Sequence, residues 1–429
     1  MTMLRPVSEM KDSGIECVGK IPKEWTMRKI KYGFTILSGA TPKSDVLEFW
    51  DGDITWVTPA DYKTNDVYVE CGRKSLTQLG YDSCGTTIVP IGSLIFSKRA
   101  PIGTVAINKV PLCTNQGCLS CVPNDFVLSK YYYYVMSNFT ELFEIYGSGT
   151  LFKEISAQSF ANIILPYPDL NEQRAIASYL DDRCSKLDEI ITEAEKSIEE
   201  YKELKQAVIA NAVLCGLCED VQLRKTGENW CKTIPSHWRF ERGKYLFKET
   251  NIRSIDGSEE LLTVSQYTGI TPRSMKTVTM FEATSLVDYK ICEVGDVAAN
   301  TMWMWAGAVG VSDYYGVISP SYNTYRQIRG DFDSKYLDYL LRSVPLVSEY
   351  ESVSTGIRAS RLRLYPSQFL SIRYPVPPMN EQKEIVEYLN RKVGDMDALI
   401  SEKQSLIEDL KAYKKSLIYE VVTGKRRVV

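Results

Sequence analysis

One stretch of this chain, Asn171–Gly216, is written twice. Asn171-Glu172-Gln173 returns as Asn380-Glu381-Gln382. At the same offset Ile176 matches Ile385, Tyr179-Leu180 matches Tyr388-Leu389, Asp188 matches Asp397, and Ile198-Glu199 matches Ile407-Glu408. The identities run out near Val213 and Val422. A long internal repeat constrains the fold before any local reading, because each copy must find an equivalent environment.

Both copies read as helices. Leu187, Ile191, Ala194, Ile198 and Tyr201 alternate steps of four and three, and Met396, Ile400, Ile407 and Leu410 hold the same phase, with Lys403 in one seam position. That is a heptad-like seam with Glu and Lys outside it. Neither stretch contains proline. A helix of about 45 residues would span roughly 65–70 Å, more than a compact domain of ordinary size buries from end to end. Two such helices zipped together, with globular parts at their ends, satisfy the pattern within one chain; a coiled coil between two chains is the other reading.

At 429 residues the chain has room for two to four domains, and 44% hydrophobic with 24% charged residues is ordinary for a soluble protein. No run of about 20 apolar residues is present, so no membrane segment is expected, and the N-terminus lacks an apolar signal region. A cytoplasmic protein is expected. The net charge of −3 argues against bulk polyanion binding but leaves local basic faces open. Residues 171–216 carry ten acids against six bases, so nucleic acid would be held by the globular parts. Cys118/Cys121 and Cys215/Cys218 have C-x-x-C spacing, which a zinc site could use if the pairs met. Strand alternation would send Cys118 and Cys121 to opposite faces, which favours reduced structural thiols and no metal. His237 is the one histidine.

The repeat extends outside the helices. Gly14, Ile21-Pro22 and Trp25 recur as Gly227, Ile234-Pro235 and Trp238, and Pro166-Tyr-Pro168 before the first copy recurs as Pro375-Val-Pro377 before the second. Asn171 and Asn380 are placed to act as N-caps. The expected boundaries are 1–168 and 217–377 for two globular domains, with 169–216 and 378–429 as helices. The expected fold is α+β: two pseudo-two-fold-related mixed α/β globular domains joined by two long antiparallel helices forming a coiled coil. Strands are expected in Gly85–Lys98, Gly103–Asn108, Asn162–Pro168, Glu260–Gln266, Gly295–Asn300 and Leu370–Pro377. Helices are expected at Ser129–Tyr146, capped by Ser129, and at Ser334–Tyr350, broken near Pro345.

No phosphate-binding glycine loop, dinucleotide fingerprint, nucleophile elbow or H-E-x-x-H is present, nor the Asn/Asp-Pro-Pro-aromatic motif of amino-methyltransferases. No catalytic residue is assigned. What remains is loops. Lys98 and Arg99 sit in a Pro/Gly turn after a strand; Gly147–Lys153 is polar and ends in a cation; Trp303-Met-Trp305 follows a strand; and Arg358, Arg361 and Arg363 form a basic run. Arg and Lys on loops suit phosphate contacts and bidentate guanine reading. Each loop also reads as an ordinary solvated surface, the tryptophan pair also as core, and Lys425-Arg426-Arg427 as a solvated tail.

The doubled P-x-P-x-x-N-E-Q lead-in, the globular–helix plan used twice, Ser38-Gly39-Ala-Thr41-Pro42 before Trp50–Trp56, Ser-Lys-Arg-Ala-Pro-Ile-Gly103 and Thr114-Asn-Gln-Gly117 form an ordered set. On it the chain resembles the specificity (S) subunit of type I restriction–modification systems over essentially its full length. The resemblance implies two target recognition domains, each reading half of a split double-stranded DNA site, and a helical spacer that fixes the gap. It implies two modification (M) subunits that methylate adenine with S-adenosylmethionine, restriction (R) subunits that use ATP and Mg, and no cofactor on this chain. The DNA-contact candidates are Lys43, Lys98, Arg99, Thr150, Lys153, Trp303, Arg358, Arg361 and Arg363. The spacer-seam candidates are Leu187, Ile191, Ile198, Met396, Ile400 and Ile407. Competing readings are a coiled-coil scaffold or adaptor without a nucleic-acid role, which the acidic first helix favours, and a standalone methyltransferase, which the missing motif disfavours.

Overall fold

The computed structural model describes residues 3–63, 66–99, 101–147, 153–218, 220–276, 285–356 and 362–428. It divides into two compact units: Met1–Ala194 with Ser405–Val429 (unit 1), and Glu195–Gln404 (unit 2). The repeated stretches are continuous α-helices, Leu170–Cys215 and Met379–Val422, the first and second long helices. Each unit is built on the start of one long helix and the end of the other.

The seam packs as its spacing requires. In unit 1, Leu187, Ile191 and Ile407 are buried, and Lys414 Nζ meets Asp188 Oδ1 at 2.6 Å. In unit 2, Ile198 and Ile400 are buried, Met396 is half-buried, and Lys205 Nζ meets Asp397 Oδ1 at 2.6 Å. Lys403, the charged seam residue, lies 5.8 Å from the ring centroid of Tyr201. A cation over an aromatic face keeps its charge attracted while its stem covers apolar surface. Tyr201 faces Lys403 while Lys205 faces Asp397, so the helices run antiparallel.

The caps differ from expectation. The first long helix starts at Leu170, so Asp169, not Asn171, is its cap; Asp169 Oδ1 accepts the N–H of Glu172 at 2.9 Å. The second starts at Met379 after Pro378, which has no side-chain acceptor. Both asparagines lie inside the first turn because their neighbours Glu and Gln are needed elsewhere. Glu172 Oε2 accepts the indole N–H of Trp25 at 2.6 Å, and Glu381 Oε2 accepts that of Trp238 at 2.8 Å. Gln173 bonds the backbone of Leu128, Phe126 and Pro168, and Gln382 that of Asp333, Asp331 and Pro377. Both glutamines and both tryptophans are at most 1% exposed. A buried indole N–H without an acceptor would cost about 1–3 kcal/mol, so the repeated Glu-Gln pair ties each globular part to its own helix.

The opposite helix ends seal the same cores. Tyr131 donates to the Val422 carbonyl at 3.1 Å in unit 1, and Tyr336 to the Val213 carbonyl at 2.8 Å in unit 2. Gly216 and Gly424 follow with φ of +77° and +69°, packed on Trp238 and Trp25 respectively. The left-handed conformation after a helix end favours glycine. Lys425–Arg427 is not a solvated tail. Arg426 pairs with Glu420 at 2.7 Å, Arg427 with Glu9 at 3.3 Å, and Arg5 N–H bonds the Lys425 carbonyl.

Unit 1 carries a five-stranded sheet in the order Phe34–Ser38, Cys118–Pro123, Leu94–Ser97, Val105–Asn108, Tyr68–Val69. A three-stranded sheet places Trp50–Val57 between Cys113–Thr114 and Lys74–Leu76. Of the expected run Gly85–Lys98 only Leu94–Ser97 is strand, because Val89 makes a single bridge to Leu112 and Gly92 turns the chain. Cys118 and Cys121 do point to opposite faces, into separate apolar clusters. Ser129–Tyr146 is two helices, Ser129–Asn138 and Thr140–Ile145, which meet at Phe139. Ser129 is the first helical residue rather than the cap; its hydroxyl donates to the Gly92 carbonyl.

Unit 2 has a four-stranded antiparallel sheet in the order Phe247–Thr250, Asn323–Gln327, Val297–Ala299, Val309–Val311. Its helices Ser334–Leu341 and Val344–Val353 break where Pro345 enters the first turn of the second. The remaining strand expectations settle as Ile164–Tyr167, Leu262–Ser265 and Arg373–Val376, with Leu370–Ser371 in a short helix instead. Among the described residues no helix is long and apolar enough to cross a membrane.

Candidate nucleic-acid interface

In unit 1 three segments far apart in sequence converge. Gly39 lies against the backbone of Thr114 and Asn115 so closely that a Cβ would sit 2.2 Å from both carbonyl oxygens. Ala40 N–H bonds the Thr114 carbonyl at 2.9 Å, and the Trp56 indole bonds the Ala40 carbonyl at 3.0 Å. Thr41 donates to the side-chain oxygen of exposed Gln116. Lys98 N–H then bonds the Gly117 carbonyl at 3.0 Å, which brings the Lys98-Arg99 turn alongside. The Ser-Gly-Ala-Thr-Pro and Thr-Asn-Gln-Gly segments are thus one surface, possible only because glycine stands where the backbones touch.

The turn itself is ordered by charge. Lys98 Nζ meets Glu154 Oε1 at 2.9 Å, and Arg99 Nε meets Glu154 Oε2 at 2.8 Å. The hydrogen bond from Lys98, reinforced by Arg99, holds the Glu154 carboxyl below the usual carboxylate range. Ile155 N–H bonds the Lys98 carbonyl at 3.0 Å, and buried Ile102 packs under Gly147. Exposed Lys153 stands next to Glu154. Exposed Lys43 lies two residues beyond Thr41, and its carbonyl accepts the Trp50 indole N–H at 3.3 Å.

In unit 2 the strand Val297–Ala299 leads into a turn of different chemistry. Trp303 is 50% exposed, buried Met304 anchors the turn, and half-buried Trp305 stacks beneath Trp303 at 5.7 Å and 24°. Trp305 donates its indole N–H to the Met302 carbonyl at 3.0 Å. Outward, inward, outward placement of 303, 304 and 305 excludes the core reading of the tryptophan pair. Leu364 N–H bonds the Thr301 carbonyl at 3.4 Å, so half-buried Arg363 sits on the segment beside the turn, bridged to Thr355. Below, Asn323 donates to Thr301 at 3.1 Å, and Lys290 Nζ donates to the Tyr322 carbonyl at 2.6 Å. Burial pushes the Lys290 ammonium pKa down.

Residues 22–200 match the family model described as type I restriction modification DNA specificity domain. The MjaIX specificity subunit of a type I restriction enzyme from Methanocaldococcus jannaschii is 38% identical over 188 residues, 42% of this chain and 43% of that protein. The EcoR124I/EcoR124II specificity subunit from Escherichia coli is 27% identical over 150 residues, 33% of this chain and 37% of that protein. The chain thus spans less than half the length of these curated relatives. Two solved structures share the fold. One, from work on complex assembly and conformational transition of the type I R-M system, has a TM-score of 0.71 at 15% identity, covering 94% of this chain and 98% of that one. The HsdS subunit from Thermoanaerobacter tengcongensis has a TM-score of 0.55 at 16% identity, with the same coverage.

Residues 22–200, less than half of the chain, are similar to the type I restriction modification DNA specificity domain. The fold the chain shares with these two structures has two domains linked by long helices that pack together. The structure gathers Lys98, Arg99 and Lys153 on one surface, with Lys43 on the adjoining segment, and places Trp303 on the turn after Val297–Ala299 of unit 2 with Arg363 on the segment beside it. Thr150, Arg358 and Arg361 lie outside the described residues. Sequence reasoning missed Gln116 and Glu154 as members of the same surface. The Thr-Asn-Gln-Gly motif was the available signal for Gln116; no local pattern marks an acidic residue that neutralises cations 55 residues away. Among the described residues no group of three His, Cys, Asp or Glu side chains is arranged to hold a metal ion.

Proposed function

We propose that this chain is the DNA-specificity subunit of a type I restriction–modification complex: a non-catalytic protein that recognises a bipartite double-stranded DNA target, one half-site per globular domain. The observation that carries this reading is the DNA specificity-domain match over residues 22–200, which spans the converged Lys98–Gln116–Lys43 surface. In this reading 1–168 and 217–377 are the recognition domains, and 169–216 and 378–429 form the spacer that sets the gap between half-sites. Lys43, Lys98, Arg99 and Lys153 supply phosphate and base contacts in the first half, and Trp303 and Arg363 in the second. Thr150, Arg358 and Arg361 join them on sequence grounds alone.

The partners are two M subunits, which methylate adenine using S-adenosylmethionine, and R subunits, which use ATP and Mg. Exposed apolar residues on the long helices support a protein partner there: Ile190, Leu406 and Tyr413 in unit 1, Leu204 and Leu399 in unit 2. Within unit 1, Leu406 and Tyr413 fall seven residues apart on the second long helix, outside the seam. The protein is expected to work in the cytoplasm.

The test is adenine-methylation mapping of a genome after co-expression with the neighbouring M subunit. Two short half-sites around a fixed gap are expected. An assembled complex that adds no methylation would overturn the reading and return the scaffold alternative.

A further inference from the structure

The turns that follow Leu94–Ser97 and Val297–Ala299 are structural equivalents. Each returns into an antiparallel neighbour, Val105–Asn108 or Val309–Val311. Each closes on a positive-φ glycine, Gly103 at +98° or Gly307 at +85°. Each glycine rests on the second of the two helices that follow, against Thr140 of Thr140–Ile145 or Val347 of Val344–Val353. Each turn is flanked by a passing segment, where Ile155 N–H bonds the Lys98 carbonyl and Leu364 N–H bonds the Thr301 carbonyl.

At these matched places the residue types are exchanged. Unit 1 presents Lys98 and Arg99, and the residue before Ile155 is Glu154, which pairs with both. Unit 2 presents Met302 and Trp303, 37% and 50% exposed, and the residue before Leu364 is Arg363. An exposed indole backed by a second ring is a flat, preformed apolar platform, and a cation on the neighbouring segment adds attraction for phosphate.

On the specificity-subunit reading above, we infer that the two halves hold DNA by different chemistry: the first by the Lys98–Arg99 cation pair, the second by a nucleobase stacked on Trp303 over Trp305, with Arg363 on a phosphate. Every base has a π-face, so stacking binds without displacing counterions, whereas each phosphate neutralised by a cation adds about 0.9 to the salt slope. The turn of unit 2 therefore contributes affinity that persists at high salt, and that of unit 1 contributes affinity that salt removes. A base on this platform has left its own stack, which places local duplex distortion in the half-site read by unit 2.

The full chain is titrated with duplexes of random sequence carrying 5-iododeoxyuridine for thymidine, then irradiated and mapped by peptide mass. Crosslinks to Trp303 or Trp305 are expected. Trp303→Ala weakens binding roughly ten-fold without changing the salt slope, Trp303→Phe restores most of it, and the Lys98→Ala/Arg99→Ala double variant lowers the slope by about one, since Glu154 already offsets one of the two charges. Duplex binding with crosslinks elsewhere only, or Trp303→Ala binding as wild type, would overturn the inference and leave the specificity-subunit reading standing; that pattern would reassign the tryptophan platform to a protein partner. No binding to any duplex would overturn both.

Discussion

Glu172 accepts the indole N–H of Trp25 at 2.6 Å, and this hydrogen bond joins positions 147 residues apart. The Arg5 guanidinium, its side chain 6% exposed, completes the carboxylate at 2.7 Å. The pairing of Trp238 with Glu381 repeats the clamp in unit 2.

Glu172→Ala strands a buried indole and weakens the pairing of a buried guanidinium, so unit 1 should lose about 3 kcal/mol. Glu172→Gln keeps an acceptor and should lose less. Burial raises the Glu172 pKa above 4.5, against the lowering by Trp25 and Arg5. A raised carboxyl pKa in the folded state stabilises below the unfolded value and is lost as pH rises through the folded one. Denaturant melts should therefore show the advantage of wild type over Glu172→Gln shrinking as pH climbs above 4.5.

Glu154 neutralises Lys98 and Arg99, so Glu154→Gln should tighten duplex binding and steepen its salt dependence by about one unit, because a freed cation reaches one more phosphate. Its pKa is depressed, so its contribution to stability is present above the ordinary carboxylate value and disappears only as pH falls through the lowered one. Salt titrations of the full chain by anisotropy check the first statement, and acid melts the second.

Gly394 within the second long helix and Gly424 just beyond its end should respond oppositely to alanine. A Cβ on Gly424 would lie 2.5 Å from Pro22 at a φ of +69°, and about 2 kcal/mol should be lost. Gly394 has no neighbour within 4 Å and helical backbone, so Gly394→Ala should gain about 0.8–1 kcal/mol. Paired thermal melts distinguish the two.

Much of the helical scaffold was legible because the repeat states it twice and its seam keeps one phase; Leu187, Ile191, Ile198, Ile400 and Ile407 are all buried. The capping assignments failed because a local pattern shows that Asn171 can cap but not that Glu172 and Gln173 have tertiary partners that set where the first turn begins. The loops were legible as candidates only. That Gly39 touches Thr114, or that Arg363 takes the place of Glu154, depends on chain crossings no local periodicity encodes.

Within the seam, Ile191→Ala and Ile400→Ala should each cost about 2–4 kcal/mol, since both are under 10% exposed. Lys403→Leu should be neutral or stabilising: it exchanges a cation–π contact of about 0.5–1 kcal/mol for apolar burial. Chemical denaturation of the three variants ranks them.

The thiols should separate by rate. Cys71 and Cys218 are exposed and should react first with an aromatic disulfide reagent. Burial pushes Cys113 to about 11 and Cys118, Cys231 and Cys292 to about 12, so these should wait for unfolding.

Unit 2 is one uninterrupted run of chain, whereas unit 1 is closed by Leu417, Val421 and Val422, which enter its core from beyond residue 404. On the ribosome the order of completion is therefore inverted: the part begun first is finished last. Until residues 405–429 emerge, Trp25 and Tyr131 border an unfilled groove that presents apolar surface to chaperones and proteases. A frameshift after Gln404 would leave the run that forms unit 2 unchanged while removing Leu417, Val421 and Val422 from the core of unit 1, so the damage would surface in residues encoded far upstream of the lesion.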